Sequence, residues 1–203
     1  MDTLPLIGID FDEDRHVYSL RGMKMPSVTQ IMEPMTLMLY AGIPYGTLSQ
    51  AADRGTRAHE QISNYVMYGI EEYDEDTAPY IEAYKEFHQG YDPLWLASEY
   101  RIYHKQLRYA GTVDLIGYVK PDSGEGVDVV DIKCTSQFHG IMLATQVSAY
   151  AEALKSHGIK IRRRYGLQLQ KSGKPRFEEV KDNYKLFIHC LAITNAMAQE
   201  VRP

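Results

Sequence analysis

The hydrophobic period of this chain changes near residue 97, and that change limits the fold more than any other feature. Before it lie two helical blocks. In "AADRGTRAHEQISNYVMYG", from about Gln50, residues Ala58, Ile62, Tyr65 and Val66 form one stripe, and Gly69 is placed to end it. In "TAPYIEAYKEFHQG", Thr77 reads as a cap, Pro79 sits in the first turn and Gly90 lies beyond the end. After the change come "ASEYRIYHKQL", "YAGTVDLIGYV" and "VDVVDIKCT", which read as three strands. The turn "KPDSGEG" separates the last two. A helix over "GIMLATQVSAYAEALKSHG" follows, then a fourth strand "RRRYGLQLQ", a turn "KSGKP" and a last helix from Val180 to Glu200. Strands this close in sequence form an antiparallel meander, whereas one that returns after a helix makes a crossover. The expectation is one α/β domain over residues 1–203, with a mixed sheet of four to five strands flanked by helices in the order αβββαβ. That domain includes an N-terminal extension over about 1–48, with a hairpin through "HVYSL" and a helix begun by the capping pair Ser27 and Gln30.

A chain of 203 residues, 44% hydrophobic and 24% charged, is large enough to bury a substantial core. No apolar run approaches the length of a membrane span, and the first residues lack the basic start and apolar stretch of a signal peptide, so a cytoplasmic protein is expected. Two cysteines, Cys134 and Cys190, fit buried thiols in a reducing compartment and are too few for a four-thiolate cluster. The net charge of −5 argues against a protein that simply coats nucleic acid. It leaves room for an enzyme whose acids bind cations. The acidic run "EEYDEDT" reads as a solvated linker.

Asp114 and Asp131 stand inside strands otherwise dominated by apolar residues. A carboxylate in such a place loses hydration and needs compensation. A divalent cation supplies it, since hard ions prefer carboxylate oxygens. Strand side chains alternate, so Asp131 and Lys133 share a face. The amine is then either a partner in an ordinary ion pair or a group that reaches a reacting centre bound beside Asp131. Spacing alone does not separate these. His59 faces inward with the helical stripe of Ile62 and Val66, as either a core histidine or a ligand. Gln146 and Tyr150, four apart, share one helical face.

Together these residues resemble the PD-(D/E)xK nuclease signature: "GTVD" carries the first acid, Asp114, and Asp131-Ile132-Lys133 is the D-x-K. Three further segments fall in matching order. "RGTRAHE" is similar to the Gly-x-x-x-His segment of RecB-like and phage exonucleases, and "QVSAY" to the Gln-x-x-x-Tyr motif on the helix after the D-x-K strand. "MPSVTQIM" resembles an N-terminal segment of phage-type exonucleases and of the related mitochondrial genome maintenance exonuclease. Val113 stands where the signature has proline.

The resemblance implies a restriction-endonuclease-like core and a metal-dependent DNA exonuclease acting on free ends, single- or double-stranded, in phage recombination or repair. It implies one or two Mg2+ or Mn2+ ions held by His59, Asp114, Asp131 and the backbone carbonyl of Ile132, with Glu99 as a further acid matched by position. Imidazole at His59 favours manganese competence. Lys133 would orient or deprotonate the attacking water, with Gln146 and Tyr150 near the substrate. Arg57, Arg162, Arg163 and Lys171 are candidate phosphate contacts. The cysteines that some relatives use for an iron–sulfur cluster are absent, so no cluster is expected. A single-strand-annealing or recombination protein is the partner implied, and no membrane. The alternative is an inactive nuclease fold retained for nucleic-acid binding or partner docking.

Overall fold

The computed structural model describes residues 3–119 and 124–200, so part of the turn expected at 120–126 lies outside the described residues. Strands β1 (Asp10–Asp12), β2 (Val17–Leu20) and β3 (Met23–Met25) form an antiparallel three-stranded sheet. Helices α1 (Val28–Ile31), α2 (Glu33–Leu39), α3 (Tyr45–Tyr68) and α4 (Ala78–Tyr91) follow. The main sheet takes β4 (Leu94–Tyr103), β5 (Ala110–Tyr118), β6 (Val127–Lys133), β7 (Ile161–Leu169) and β8 (Pro175–Glu179), in that spatial order. Helix α5 (Gly140–Ser156) joins β6 to β7, and α6 (Tyr184–Glu200) ends the described chain.

The meander β4-β5-β6 is antiparallel, β7 returns parallel to β6 after α5, and β8 closes the edge antiparallel to β7. This is the restriction-endonuclease-like arrangement expected from the sequence. Both faces of the sheet are covered, which explains the near-continuous burial of β6. Val129 packs with Val147, Leu154 and Phe187 on the side of α5 and α6. Val130 and Ile132 pack with Ile62, Tyr84 and Phe87 on the side of α3 and α4. Full burial of each such aliphatic side chain contributes roughly 1.5–3 kcal/mol. Both cysteines are buried and free.

Several boundaries differ from the sequence reading. Helix α3 starts at Tyr45, behind Pro44, and Gly69 ends it in the left-handed region at φ 69°. Gly90 lies inside α4, which stops where Asp92 turns left-handed at φ 46°. The last helix begins at Tyr184, because the Val180 amide still bonds to the Arg164 carbonyl along the sheet. Asn183 then ties the loop to α5 through Ser148 and Thr145. Helix α2 was not foreseen; Leu37, Met38 and Leu39 are all exposed, so it offers no apolar stripe to detect.

The N-terminal extension is fastened to the main sheet. Ser27 caps α1 with the reciprocal Gln30 bond of a capping box. Immediately before it, the Pro26 carbonyl accepts from the Ala110 amide at 3.0 Å. The Tyr18 hydroxyl meets that of Thr112 at 2.8 Å. These contacts set β1–β3 beside the start of β5. Among the described residues no helix is long and apolar enough to cross a membrane.

Candidate active site

The site forms where β5 and β6 part. Their ladder runs from Gly117–Asp128 to Leu115–Val130 and stops there. Asp114, the next residue of β5, fills the opening, and its Oδ2 accepts a hydrogen bond from the Ile132 amide at 2.5 Å. A side chain thus takes the place of the missing ladder bond. Asp114 Oδ1 lies 3.4 Å from His59 Nδ1, which α3 directs over the sheet. Glu99 Oε1 lies 3.8 Å from the same nitrogen. The ligand atoms of His59, Glu99 and Asp114 all fall within 4.8 Å of one another.

Glu99 lies mid-strand, between the paired residues Ser98 and Tyr100, with φ 50°. A non-glycine residue held left-handed costs on the order of 1–3 kcal/mol, and such strain concentrates at functional sites. Thr112 and Val113 across the ladder fix the strand on that side.

Asp131 is almost fully buried, and neither carboxylate oxygen has an aligned hydrogen-bond donor. The Lys133 ammonium lies 2.7 Å from Oδ2, an ion pair rather than an aligned hydrogen bond. Lys133 donates to Gln146 Oε1 at 3.1 Å, and Gln146 Nε2 donates to the Tyr150 hydroxyl at 3.0 Å. The four residues form one chain from β6 to α5. Gly111 makes room for its far end, since a Cβ there would lie 2.6 Å from the Tyr150 ring.

The charges are unbalanced. Burial pushes the Asp131 carboxyl up to about 6, and the Asp114 charge adds to the rise against the pull of Lys133. Burial also raises Glu99, opposed by His59 and reinforced by Asp114. For His59 burial works downward, but Asp114, Cys134 and Glu99 together carry it well above its ordinary value. Burial works upward on Asp114, yet His59, Lys133 and the Ile132 amide hold it low. Burial opposes the Lys133 ammonium, and Asp131 and Asp114 keep it high.

This donor set fits a divalent cation. It offers carboxylate oxygens and one imidazole, the mixture that suits manganese as well as magnesium. The donor-poor oxygens of Asp131 are a second sign, because buried carboxylate oxygens without donors are costly. The triad that gathers most tightly is His59, Glu99 and Asp114, with Asp131 engaged by Lys133 on the neighbouring strand.

The other named residues are dispersed. Ile132 buries its side chain against α3 and α4. Arg57 is held by Asp53, Asp74 and Asp76, so part of the acidic linker is tied to α3. Arg162 forms a buried pair with Asp128, its Nε 2.9 Å from Oδ1. Arg163 donates to the Tyr165 hydroxyl. Arg163 stands opposite Asp128, roughly 16 Å along the sheet from Lys133. Lys171 is exposed in the β7–β8 turn, beyond the strand end that faces Lys133. Sequence reasoning missed Gly111 and the contact of the Cys134 thiol with His59, since neither residue type signals a site by itself.

A cleft of about 770 Å³ opens over these groups. His59, Glu99 and Lys133 form its floor, and Phe11, His16 and Tyr18 of the N-terminal sheet line another wall. Its volume falls within the roughly 300–1,000 Å³ usual for ligand sites.

No family model and no curated protein matches the sequence. Among solved structures, an alkaline exonuclease from Laribacter hongkongensis is similar over 87% of each chain, with 9% identity and a TM-score of 0.46. The same enzyme in complex with dAMP gives 10% identity and a TM-score of 0.40 over 87% of each chain. The protein SSO0001 gives 12% identity and a TM-score of 0.43, covering 90% of this chain and 80% of its own.

Proposed function

We propose that this chain is a divalent-metal-dependent deoxyribonuclease that hydrolyses phosphodiester bonds from free DNA ends. The observation that carries the reading is the meeting of two groups, the His59–Glu99–Asp114 cluster and the Asp131–Lys133–Gln146 chain, beneath one open cleft that His59, Glu99 and Lys133 line. An acidic cluster alone has many explanations. An acidic cluster beside a buried carboxylate–ammonium pair, all at the point where two strands separate, fits phosphoryl chemistry.

Magnesium or manganese bound here would supply the positive charge that offsets the negative charge developing on phosphorus oxygens. His59, Asp114 and Glu99 would hold the cation, and Asp131 with the Ile132 carbonyl would complete the donor set. Lys133, held as an ammonium by Asp131 and Asp114, orients the attacking water. Gln146 fixes the ammonium from behind, and Tyr150 braces Gln146. The net charge of −5 is compatible with a DNA substrate because the cation provides the local attraction. The motif resemblance extends the proposal to phage DNA recombination or repair in the host cytoplasm, beside a single-strand-annealing partner.

The test is digestion of end-labelled linear DNA, single- and double-stranded, with each metal. Lys133→Ala is expected to slow cleavage by about 100-fold or more while manganese binding measured by calorimetry persists. Cleavage by that variant at the wild-type rate would remove Lys133 from the mechanism. Rapid nicking of covalently closed circles would replace the exonuclease reading with an endonuclease.

A further inference from the structure

The far wall of the cleft consists of rings and one guanidinium that the proposed hydrolysis does not use. Phe11 packs against Tyr18 at a centroid distance of 4.4 Å and against His16 at 5.1 Å. The Arg101 guanidinium lies over Phe11, 5.1 Å from the ring centroid, and its Nη2 donates to Glu13 Oε1 at 2.8 Å. Tyr18 is buried and its hydroxyl is engaged by Thr112, while His16 and Arg101 are exposed to the cleft. Phe11 therefore stands between two exposed side chains that line the cleft, His16 edge-on to its ring and Arg101 over it.

This wall is suited to bases rather than phosphates. Glu13 neutralises Arg101 at close range, and Glu60 and Glu99 add negative charge to the same cleft. A phosphate would meet little net attraction there. A base presents a neutral π face, which stacks on aromatic rings and on guanidinium planes. The wall is also fixed relative to the catalytic floor, because Tyr18–Thr112 and Pro26–Ala110 fasten the N-terminal sheet to β5. Within a duplex both base faces are covered by neighbouring bases.

We infer that His16 and Arg101, backed by Phe11, form a stacking platform for an unpaired base next to the bond to be cleaved. This rests on the nuclease reading and deepens it: the enzyme grips a single-stranded or frayed end. Phe11 and Glu13 are positioning residues for Arg101.

The experiment is fluorescence anisotropy of a labelled oligo-dT with calcium replacing the active metal, so that binding is read apart from cleavage. His16→Ala and Arg101→Gln are each expected to weaken binding roughly 5- to 150-fold, the loss of about one base stack. His16→Phe should retain it. An oligonucleotide with abasic sites should bind wild type more weakly, and His16→Ala should add little further loss. His16→Ala should also leave the salt dependence unchanged, since no phosphate contact is removed. Equal wild-type affinity for abasic and intact strands, or unchanged affinity in both variants, would overturn the platform while leaving the nuclease reading in place. If wild type neither binds nor cleaves any DNA, both fall together.

Discussion

Removing metal should make the stability of this protein fall as pH rises, and the buried Asp131 sets the scale. Its carboxyl is raised from 3.8 to about 6, so the folded protein holds that proton more tightly than the unfolded chain. A group raised on folding contributes stability that is complete below its unfolded value and lost as pH climbs through its folded value. The full effect is on the order of 3 kcal/mol, of which roughly half disappears between pH 5 and 8. Glu99 and His59 are raised too, so they act with the same sign in that direction. Asp114 is lowered, and its contribution is lost only in stronger acid, below its ordinary 3.8. Lys133 stays charged throughout. For a chain of this length the Asp131 share corresponds to a drop of roughly 3–6 °C in Tm from pH 5 to 8. Calorimetric scans in EDTA at stepped pH measure it. Asp131→Asn should make the slope shallower, and saturating manganese should raise Tm most at the alkaline end, where the ion competes with the fewest protons. A Tm in EDTA that is flat or rising from pH 5 to 8, with the same profile in Asp131→Asn, would refute the reasoning.

Two further substitutions probe the supports of the site. Gly111→Ala places a methyl group against the Tyr150 ring, so it should cost about 1–3 kcal/mol in denaturant unfolding and lower cleavage by disturbing Gln146 and Lys133. An unchanged unfolding midpoint would mean that Tyr150 moves aside freely. Arg162→Met strands Asp128, whose oxygens also receive the Val119 amide, and should cost about 3–5 kcal/mol. Since Arg162 lies far along the sheet from Lys133, the salt dependence of DNA binding should not change with it; a smaller slope would return Arg162 to the phosphate contacts.

Much of this architecture was legible because periodicity reports burial. The meander, the crossover and α3 to α5 all carry patterns that period 2 or 3.6 explains. The misses have equally physical causes. Strand β8 contains Arg176, Glu178 and Glu179 on an edge, so its pattern is that of a charged turn. Helix α2 exposes its apolar residues, and α6 begins late because a sheet bond reaches Val180. At the site, the shared face of Asp131 and Lys133 followed from alternation, and their 2.7 Å pair is its geometric form. Glu99 was placed by position at a strand start, whereas it lies mid-strand with a left-handed backbone that no propensity foretells. Arg57 and Arg162 look like candidate phosphate contacts in the sequence because the partners Asp74 and Asp128 lie on another segment and on a neighbouring strand.

The hydrogen bond from the Ile132 amide to Asp114 ties assembly of the site to one late event in the life of the chain. The acid is oriented by a strand that the ribosome has yet to make when Asp114 emerges, and the chain that secures Lys133 ends at Tyr150 on the helix after that strand. A nascent or truncated polypeptide ending before β6 has the histidine, the glutamate and the first aspartate without the backbone that aims them. The proposed site is thereby complete only once β6 and α5 are both in place.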